Sequence, residues 1–262
     1  MEIRSIKRAA AVLRSIVDKP DGMSSTGIGE ITGLSKATVH RILYTLASDD
    51  LVRMEGGRYL PGAFLIALAA DSDPFRDLKR TAAEPLAALR NATGETAALV
   101  VRRGTQRVTI LVALAFHELK AAPDVGSTKP VHAGAAGKAL LAFIDPGELE
   151  ILLDGYKYAR LAVNTVMSQA QLLRNVQRVR QQGYAVSSEE SVDGQAAIAA
   201  PIMLNGGVAA VVNLSVPVVR ASKRAVREWT PQVLAAAKAI ASAERSRVKA
   251  NGLAGVSRRT RL

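Results

Sequence analysis

Apolar positions recur at helical spacing through the first fifty residues, then alternate as in strands, and later gather into longer apolar runs. Over residues 6–17, Ile6, Ala9, Ala10, Leu13, Ile16 and Val17 share one face, which predicts an amphipathic helix. Asp18-Lys-Pro-Asp-Gly22 ends it, because proline and glycine both oppose continuation. A second short helix is expected over 25–32, with Gly33 at its C-terminal turn and Ser35 placed to cap the next helix. In that third helix, 36–48, Val39, Ile42, Leu43 and Leu46 fall at i, i+3, i+4 and i+7 and build one buried stripe. The opposite face carries Ala37, Arg41, Tyr44 and Ser48, flanked by Thr38, His40 and Thr45. Alternating strands at 51–54 and 58–60 then enclose Glu55-Gly56-Gly57, a tight-hairpin signal. Helix, helix, turn, helix, hairpin is the order of a winged helix-turn-helix.

Downstream, a helix is expected from Asp73 to Asn91, with Pro74 at its start, a kink or restart at Pro85 and Thr93-Gly94 as its stop. Strands follow at 96–102 and 107–115, then helices at 134–143, 146–153 and 168–182. Two more strands, 197–204 and 208–216, enclose Asn205-Gly206-Gly207, and a helix over 222–249 closes the pattern. Antiparallel strand pairs with helices between and after them indicate an α+β domain. The expected division is a DNA-binding domain at 1–66, a linker helix at 67–93, a second domain at 94–249 and a basic tail at 250–262.

Charge alters this picture only in part. The 262 residues carry a net +12, which suits a polyanionic partner. Residues 1–66 hold 9 basic and 7 acidic side chains, whereas residues 245–262 hold 6 basic and none acidic. Half of the excess therefore sits at the C-terminal end. The absence of cysteine removes disulfides, thiolate metal sites and cysteine nucleophiles together. No apolar run reaches the roughly 20 residues of a membrane span, and the N-terminus lacks the apolar block of a signal peptide, so a cytoplasmic location without membrane contact is expected.

The third helix has the chemistry of a recognition helix. Arg41 suits guanine or phosphate; Ser35, Lys36, Thr38, His40, Tyr44 and Thr45 suit phosphate or base edges; Arg53 and Arg58 on the hairpin suit the adjacent backbone or minor groove. An ordinary solvated helix in a small helical bundle is the plainer alternative, and winged helices also serve as protein-interaction modules. The stretch Ala133-Gly-Ala-Ala-Gly-Lys-Ala139 falls short of a phosphate-binding loop, since His132 takes the first glycine position and Ala139 the serine or threonine position. As a helix start it still offers free N–H groups to a carboxylate, or simply permits close packing. His40, His117 and His132 lack metal spacing, and His132 reads as a structural hydrogen-bonder. Glu189-Glu190 reads as a solvated loop, since neighbours on a strand point to opposite faces. No catalytic cluster, cofactor or metal is expected.

Three stretches together resemble the IclR-type (isocitrate lyase regulator) transcription factors. They are Thr32-Gly-Leu-Ser-Lys-Ala-Thr-Val-His-Arg-Ile-Leu-Tyr-Thr-Leu46 with Gly57-Arg-Tyr-Leu-Pro-Gly62; Pro130-Val-His-Ala-Gly-Ala-Ala-Gly-Lys-Ala-Leu-Leu-Ala142; and Gly183-Tyr-Ala-Val-Ser-Ser-Glu-Glu190 with Gly194, Ile198-Ala-Ala-Pro201 and Asn213-Leu-Ser-Val-Pro217. The resemblance implies a winged helix-turn-helix, a linker helix and a GAF-like effector domain, assembled as homodimers or tetramers on double-stranded operator DNA. Regulation by a small organic effector follows, with repression of a catabolic operon expected. It places the effector against Ala135, Ala136, Ser187, Ala197, Asn213 and Ser215. Members that take very small keto acids carry aspartate, cysteine and serine at the positions of Ser187, Ala197 and Asn213. Their replacement here implies a less charged, roomier site, suited to an aromatic acid or amide. A non-specific architectural DNA-binding protein and an enzyme with an appended DNA-binding domain are the rival readings.

Overall fold

In the computed structural model the described residues are 3–17, 19, 21–71 and 73–259, the side chains of 69–71 and 248–259 excepted. They fall into two units, Met1–Pro74 and Phe75–Leu262. Of the expected basic tail, 250–262, the backbone continues the last helix to Arg259, and residues 260–262 lie outside the described residues.

The first unit contains α1 (Arg4–Val17), α2 (Ser25–Thr32) and α3 (Lys36–Ser48). A hairpin, β1 (Val52–Glu55) and β2 (Arg58–Pro61), follows, and then α4 (Ala63–Asp71). Ser24 caps α2 by accepting from the Gly27 N–H, and Gly33 ends it with φ 69°. Ser35 then caps α3 by accepting from Thr38 N–H. Val12, Ile16, Ile28, Val39, Leu43, Leu46 and Val52 form the core of this unit. The hairpin turns through Gly56 (φ 57°) and Gly57 (φ 77°), a pair of left-handed conformations that suits the twist of two-residue hairpins. Met23 bridges to Tyr59 and ties the start of α2 to the wing.

The second unit holds α5 (Arg76–Thr93), β3 (Thr96–Arg103), β4 (Gln106–Ala113), β5 (Thr128–Pro130), α6 (Ala135–Ala142), α7 (Pro146–Leu153) and α8 (Gln169–Gln182). Strands β6 (Ala185–Ser188), β7 (Gln195–Leu204) and β8 (Gly207–Pro217) follow, with a short 3-10 turn and α9 (Lys223–Arg259). The strands make one antiparallel sheet in the order β5-β4-β3-β8-β7-β6. Alternation sends Ala97, Leu99, Ile198, Val212 and Leu214 to one face, where they pack with Ala82, Leu86 and Leu89 of α5 and Val233, Ala237 and Ile240 of α9. It sends Ala98, Val100, Ala199 and Val211 to the other, against Ala139, Leu140, Leu172 and Val176 of α6 and α8. The winged-helix order and the α+β sheet thus both stand. No described helix is long and apolar enough to cross a membrane.

Two local expectations are revised. The segment expected as one linker helix, 67–93, is two helices, α4 and α5. Within α5, Pro85 neither breaks nor restarts the helix. Proline removes one N–H donor but already holds a helical φ, and Ala82, Leu86 and Leu89 around it are fully packed on the sheet. Sequence periodicity also left out α4, β5 and β6.

Leu214 is fully buried in the cluster that the sheet forms with α5 and α9. Leu214→Ala should lower the unfolding free energy of this unit by about 2–5 kcal/mol. Urea denaturation of the parent and variant measures the difference, and a loss below about 1 kcal/mol would contradict this packing.

Candidate DNA-binding helix and ligand cavity

On α3, the stripe of Val39, Leu43 and Leu46 is buried, and the side opposite is solvent-facing. Ser35, Lys36, His40, Arg41, Tyr44 and Thr45 are exposed, Tyr44 at 81%. Thr38 is half-buried and its hydroxyl lies 2.9 Å from Ser35 Oγ, so both belong to the cap as well as to the outer face. Among the described residues no carboxylate pairs with Arg41, and the outer face keeps its positive character. The wing arginines are differently placed. Arg53 pairs with Glu55, and Arg58 Nη1 donates to the Gly22 carbonyl at 3.0 Å, bracing the turn before α2.

The second unit holds a narrow cavity of about 40 Å3 over the sheet face opposite α5 and α9. Its floor crosses five strands: Lys129 of β5, Arg107 and Thr109 of β4, Ala98 and Val100 of β3, Asn213 and Ser215 of β8, and Gln195 and Ala197 of β7. Gly134 and Ala135, at the start of α6, close one side with Ser191. Of the residues expected there, Ala135, Ala197, Asn213 and Ser215 line the cavity. Ala136 packs into the core instead, and Ser187 stands behind the wall, where its Oγ accepts the Ala135 N–H at 3.0 Å. Asn213 Nδ2 donates to Ser215 Oγ at 2.8 Å.

Two cations also line the cavity, outside the six positions from which a less charged, roomier site was expected. Arg107 and Lys129 face each other across the β4–β5 register and both line the cavity. Arg107 Nε donates to the Ala133 carbonyl at 3.2 Å, and Lys129 Nζ donates to the Ser191 carbonyl at 3.3 Å. Burial pulls the guanidinium of Arg107 down to about 10, still charged at neutral pH. Lys129 is lowered by burial and by the neighbouring Arg107 charge. Sequence periodicity missed this pair because 21 residues separate the two and only the strand register joins them.

Glu190 is likewise no solvated loop residue. Its Oε1 accepts from Lys138 Nζ at 2.5 Å, and its Oε2 accepts the Gly134 N–H at 3.2 Å. Lys138 is nearly enclosed in α6 and also donates to the Val186 carbonyl. Burial lowers its pKa while the Glu190 charge raises it. A long-range pair thus fastens the β6–β7 loop to the cavity turn. Close packing there depends on Gly137, whose Cβ would lie 2.0 Å from the Val131 carbonyl oxygen. Among the described residues no cluster of histidine and carboxylate side chains could hold a metal ion.

His132, fully buried beside this turn, lies 2.9 Å from the Ala159 carbonyl through Nε2 and 2.7 Å from the Tyr156 hydroxyl through Nδ1. A carbonyl only accepts, so Nε2 carries the proton and Nδ1 accepts from Tyr156. The ring is a structural hydrogen-bonder, as its sequence position suggested.

An exposed recognition helix with a hairpin wing, joined in one chain to an α+β domain that holds a small cavity, is the arrangement of a DNA-binding transcriptional regulator. Residues 75–242 match the family described as bacterial transcriptional regulator IclR C-terminal, and residues 5–56 match the IclR helix-turn-helix domain. The chain belongs to the IclR family of transcriptional regulators, which are not enzymes. It is 32% identical to the HTH-type transcriptional regulator XynR of Escherichia coli (strain K12) over 76% of this chain and 80% of that one. The crystal structure of the regulator from Alicyclobacillus acidocaldarius superposes with a TM-score of 0.73 at 27% identity, over 92% of this chain and 99% of that one. An IclR homologue from Microbacterium hydrocarbonoxydans, crystallised with 4-hydroxybenzoate, shares the fold with a TM-score of 0.76 at 22% identity, over 92% and 99%.

Burial depresses the pKa of His132, against a raising contribution from the Ala159 carbonyl. Below the usual value of about 6.5 the unfolded chain takes up a proton that the folded domain resists, so stability is lost as pH falls through that range. Melting temperature should therefore drop between pH 7.5 and 5.5 in the parent, and less steeply in His132→Gln even if that variant is weaker throughout. Equal slopes in the two proteins would remove His132 as the cause.

Proposed function

We propose that the chain is a repressor of a catabolic operon, and that a small aromatic acid or amide changes its grip on operator DNA. The carrying observation is the outer face of α3, cationic, hydrogen-bonding and unshielded by acid at Arg41. Such a helix fits the major groove, with Arg41 on a guanine edge or phosphate and Ser35, Lys36, Thr38, His40, Tyr44 and Thr45 around it. Arg53 and Arg58 join the phosphate contacts by exchanging their present partners, Glu55 and the Gly22 carbonyl. Repression is the economical mode, because occupancy of a promoter blocks polymerase without a further contact surface.

Two recognition helices are needed to read a two-fold site, and α4 supports self-association. Phe64, Ile66 and Leu68 stand 53%, 58% and 49% exposed on this short, strongly apolar helix. Exposed apolar groups so close together are what an interface between two copies would cover. The effector position is read from Ala98, Val100, Ala135 and Ala197, whose small apolar side chains suit the face of a flat ring that widens the present cavity of about 40 Å3, with Asn213 and Ser215 able to hold a polar substituent. The 4-hydroxybenzoate bound by the Microbacterium homologue is a ligand of this class. A ligand that prefers one arrangement of the dimer shifts its population and with it the spacing of the recognition helices.

Arg41→Ala should abolish specific operator binding, a loss of at least about tenfold for one bidentate contact, while leaving the melting temperature unchanged. Gel-shift titration at fixed salt against operator and random duplex tests this, and retained specificity would refute the assignment. Ile66→Asp should shift the protein towards monomer in sedimentation equilibrium and weaken operator binding in parallel. A variant that stays associated would remove α4 from the interface.

A further inference from the structure

We infer that the effector is a dianion, and that Arg107 and Lys129, opposed across β4 and β5 at one end of the cavity, are the residues that select it. The inference rests on the effector-site reading above and narrows its acid or amide to a doubly charged acid.

Three observations lead there. First, the place where a helix start would take an acid is filled. The Gly134 N–H is given to Glu190 and the Ala135 N–H to Ser187, so the chain's own side chains occupy those first two donors of the turn. Second, Arg107 and Lys129 are direct cross-strand partners whose side chains share one face. Like charges so placed repel, and enclosure in the protein sharpens the cost. Third, their hydrogen-bond acceptors in the chain are the neutral carbonyls of Ala133 and Ser191. Glu190, next to Ser191, is committed to Lys138 and Gly134. The Lys138–Glu190 pair sums to zero, which leaves two positive charges at the β4–β5 end. One carboxylate would leave one of them; two neutralise the site. At the other end, β8 lies two strands from β4, about 10 Å away, where Asn213 and Ser215 offer uncharged donors and acceptors. The ligand is therefore oriented with its acid groups towards β5 and its body across Ala98, Val100 and Ala197.

Calorimetric titration of the full chain at constant ionic strength tests this with phthalate, benzoate, succinate, phenyl phosphate and neutral phthalamide. The expected order is a dianion binding at least tenfold more tightly than benzoate, with no heat from the diamide. Phenyl phosphate against phthalate distinguishes a phosphate ester from a dicarboxylate. Arg107→Gln and Lys129→Gln should each weaken the best dianion at least tenfold, while the ligand-free variants melt at or above the parent temperature because a repulsion has gone. Diamide or benzoate binding as tightly as the dianion overturns the inference. So does the failure of every acid to bind beyond a chloride control, or variants that melt lower with unchanged affinity. Succinate binding in an Arg107-dependent manner, with the aromatic acids inert, would instead sink only the aromatic part of the functional reading.

Discussion

The register between β3 and β8 governs what the second unit can do. Ala98 pairs with Asn213 and Leu99 with Val212, and side chains alternate between the two faces of a sheet at every residue. Because of that pairing Leu99, Val212 and Leu214 meet α5 and α9, while Ala98, Val100, Asn213 and Ser215 turn towards α6 and the cavity. A slip of one residue would exchange the two sets, placing an amide and a hydroxyl in the core and leucines in the cavity. The apolar face therefore fixes the polar one. The small residues on the cavity side are possible because the large ones have already secured the sheet from behind.

Against that floor, the cavity turn is held by long-range polar contacts. Lys138 and Glu190 lie 52 residues apart and are both largely enclosed, where removing either partner costs roughly 3–5 kcal/mol. Gly134 precedes α6 with a positive φ of 87° and an extended ψ of 171°, a backbone conformation that glycine adopts without the strain a side chain would add. His132 anchors the other side through Ala159 and Tyr156. The cavity turn is thus held from several sides, whereas β5 on the opposite rim is a three-residue edge strand.

Much of the DNA-binding unit was legible in the sequence because its signals are local. Val39, Ile42, Leu43 and Leu46 mark the helix, Ser35 caps it, and Gly56-Gly57 turns the hairpin. The strand pairs around Gly104 and Asn205-Gly206 were legible for the same reason. What escaped is short or non-local. Helix α4 is apolar on all sides and so has no amphipathic period to read. Strands of three and four residues, β5 and β6, leave no alternation long enough to count. Four of the six effector positions implied by resemblance line the cavity, but the resemblance was silent on Arg107 and Lys129. Their meeting depends on how β5 returns to β4 after a long connection, a matter of tertiary pairing. Pro85 misled because its local penalty is real and the packing around it outweighs it.

The brevity of β5 has an evolutionary consequence. Three register pairs attach it to β4, and nothing packs on its far side within the sheet, since it is the edge. A segment so lightly attached can be lengthened, shortened or exchanged between related genes without repacking the hydrophobic layers. One of the two charges at the cavity rim is carried on it. New chemical tastes can thus arise among such regulators by remodelling a rim, while the architecture that reads DNA and the sheet that carries the cavity are inherited intact.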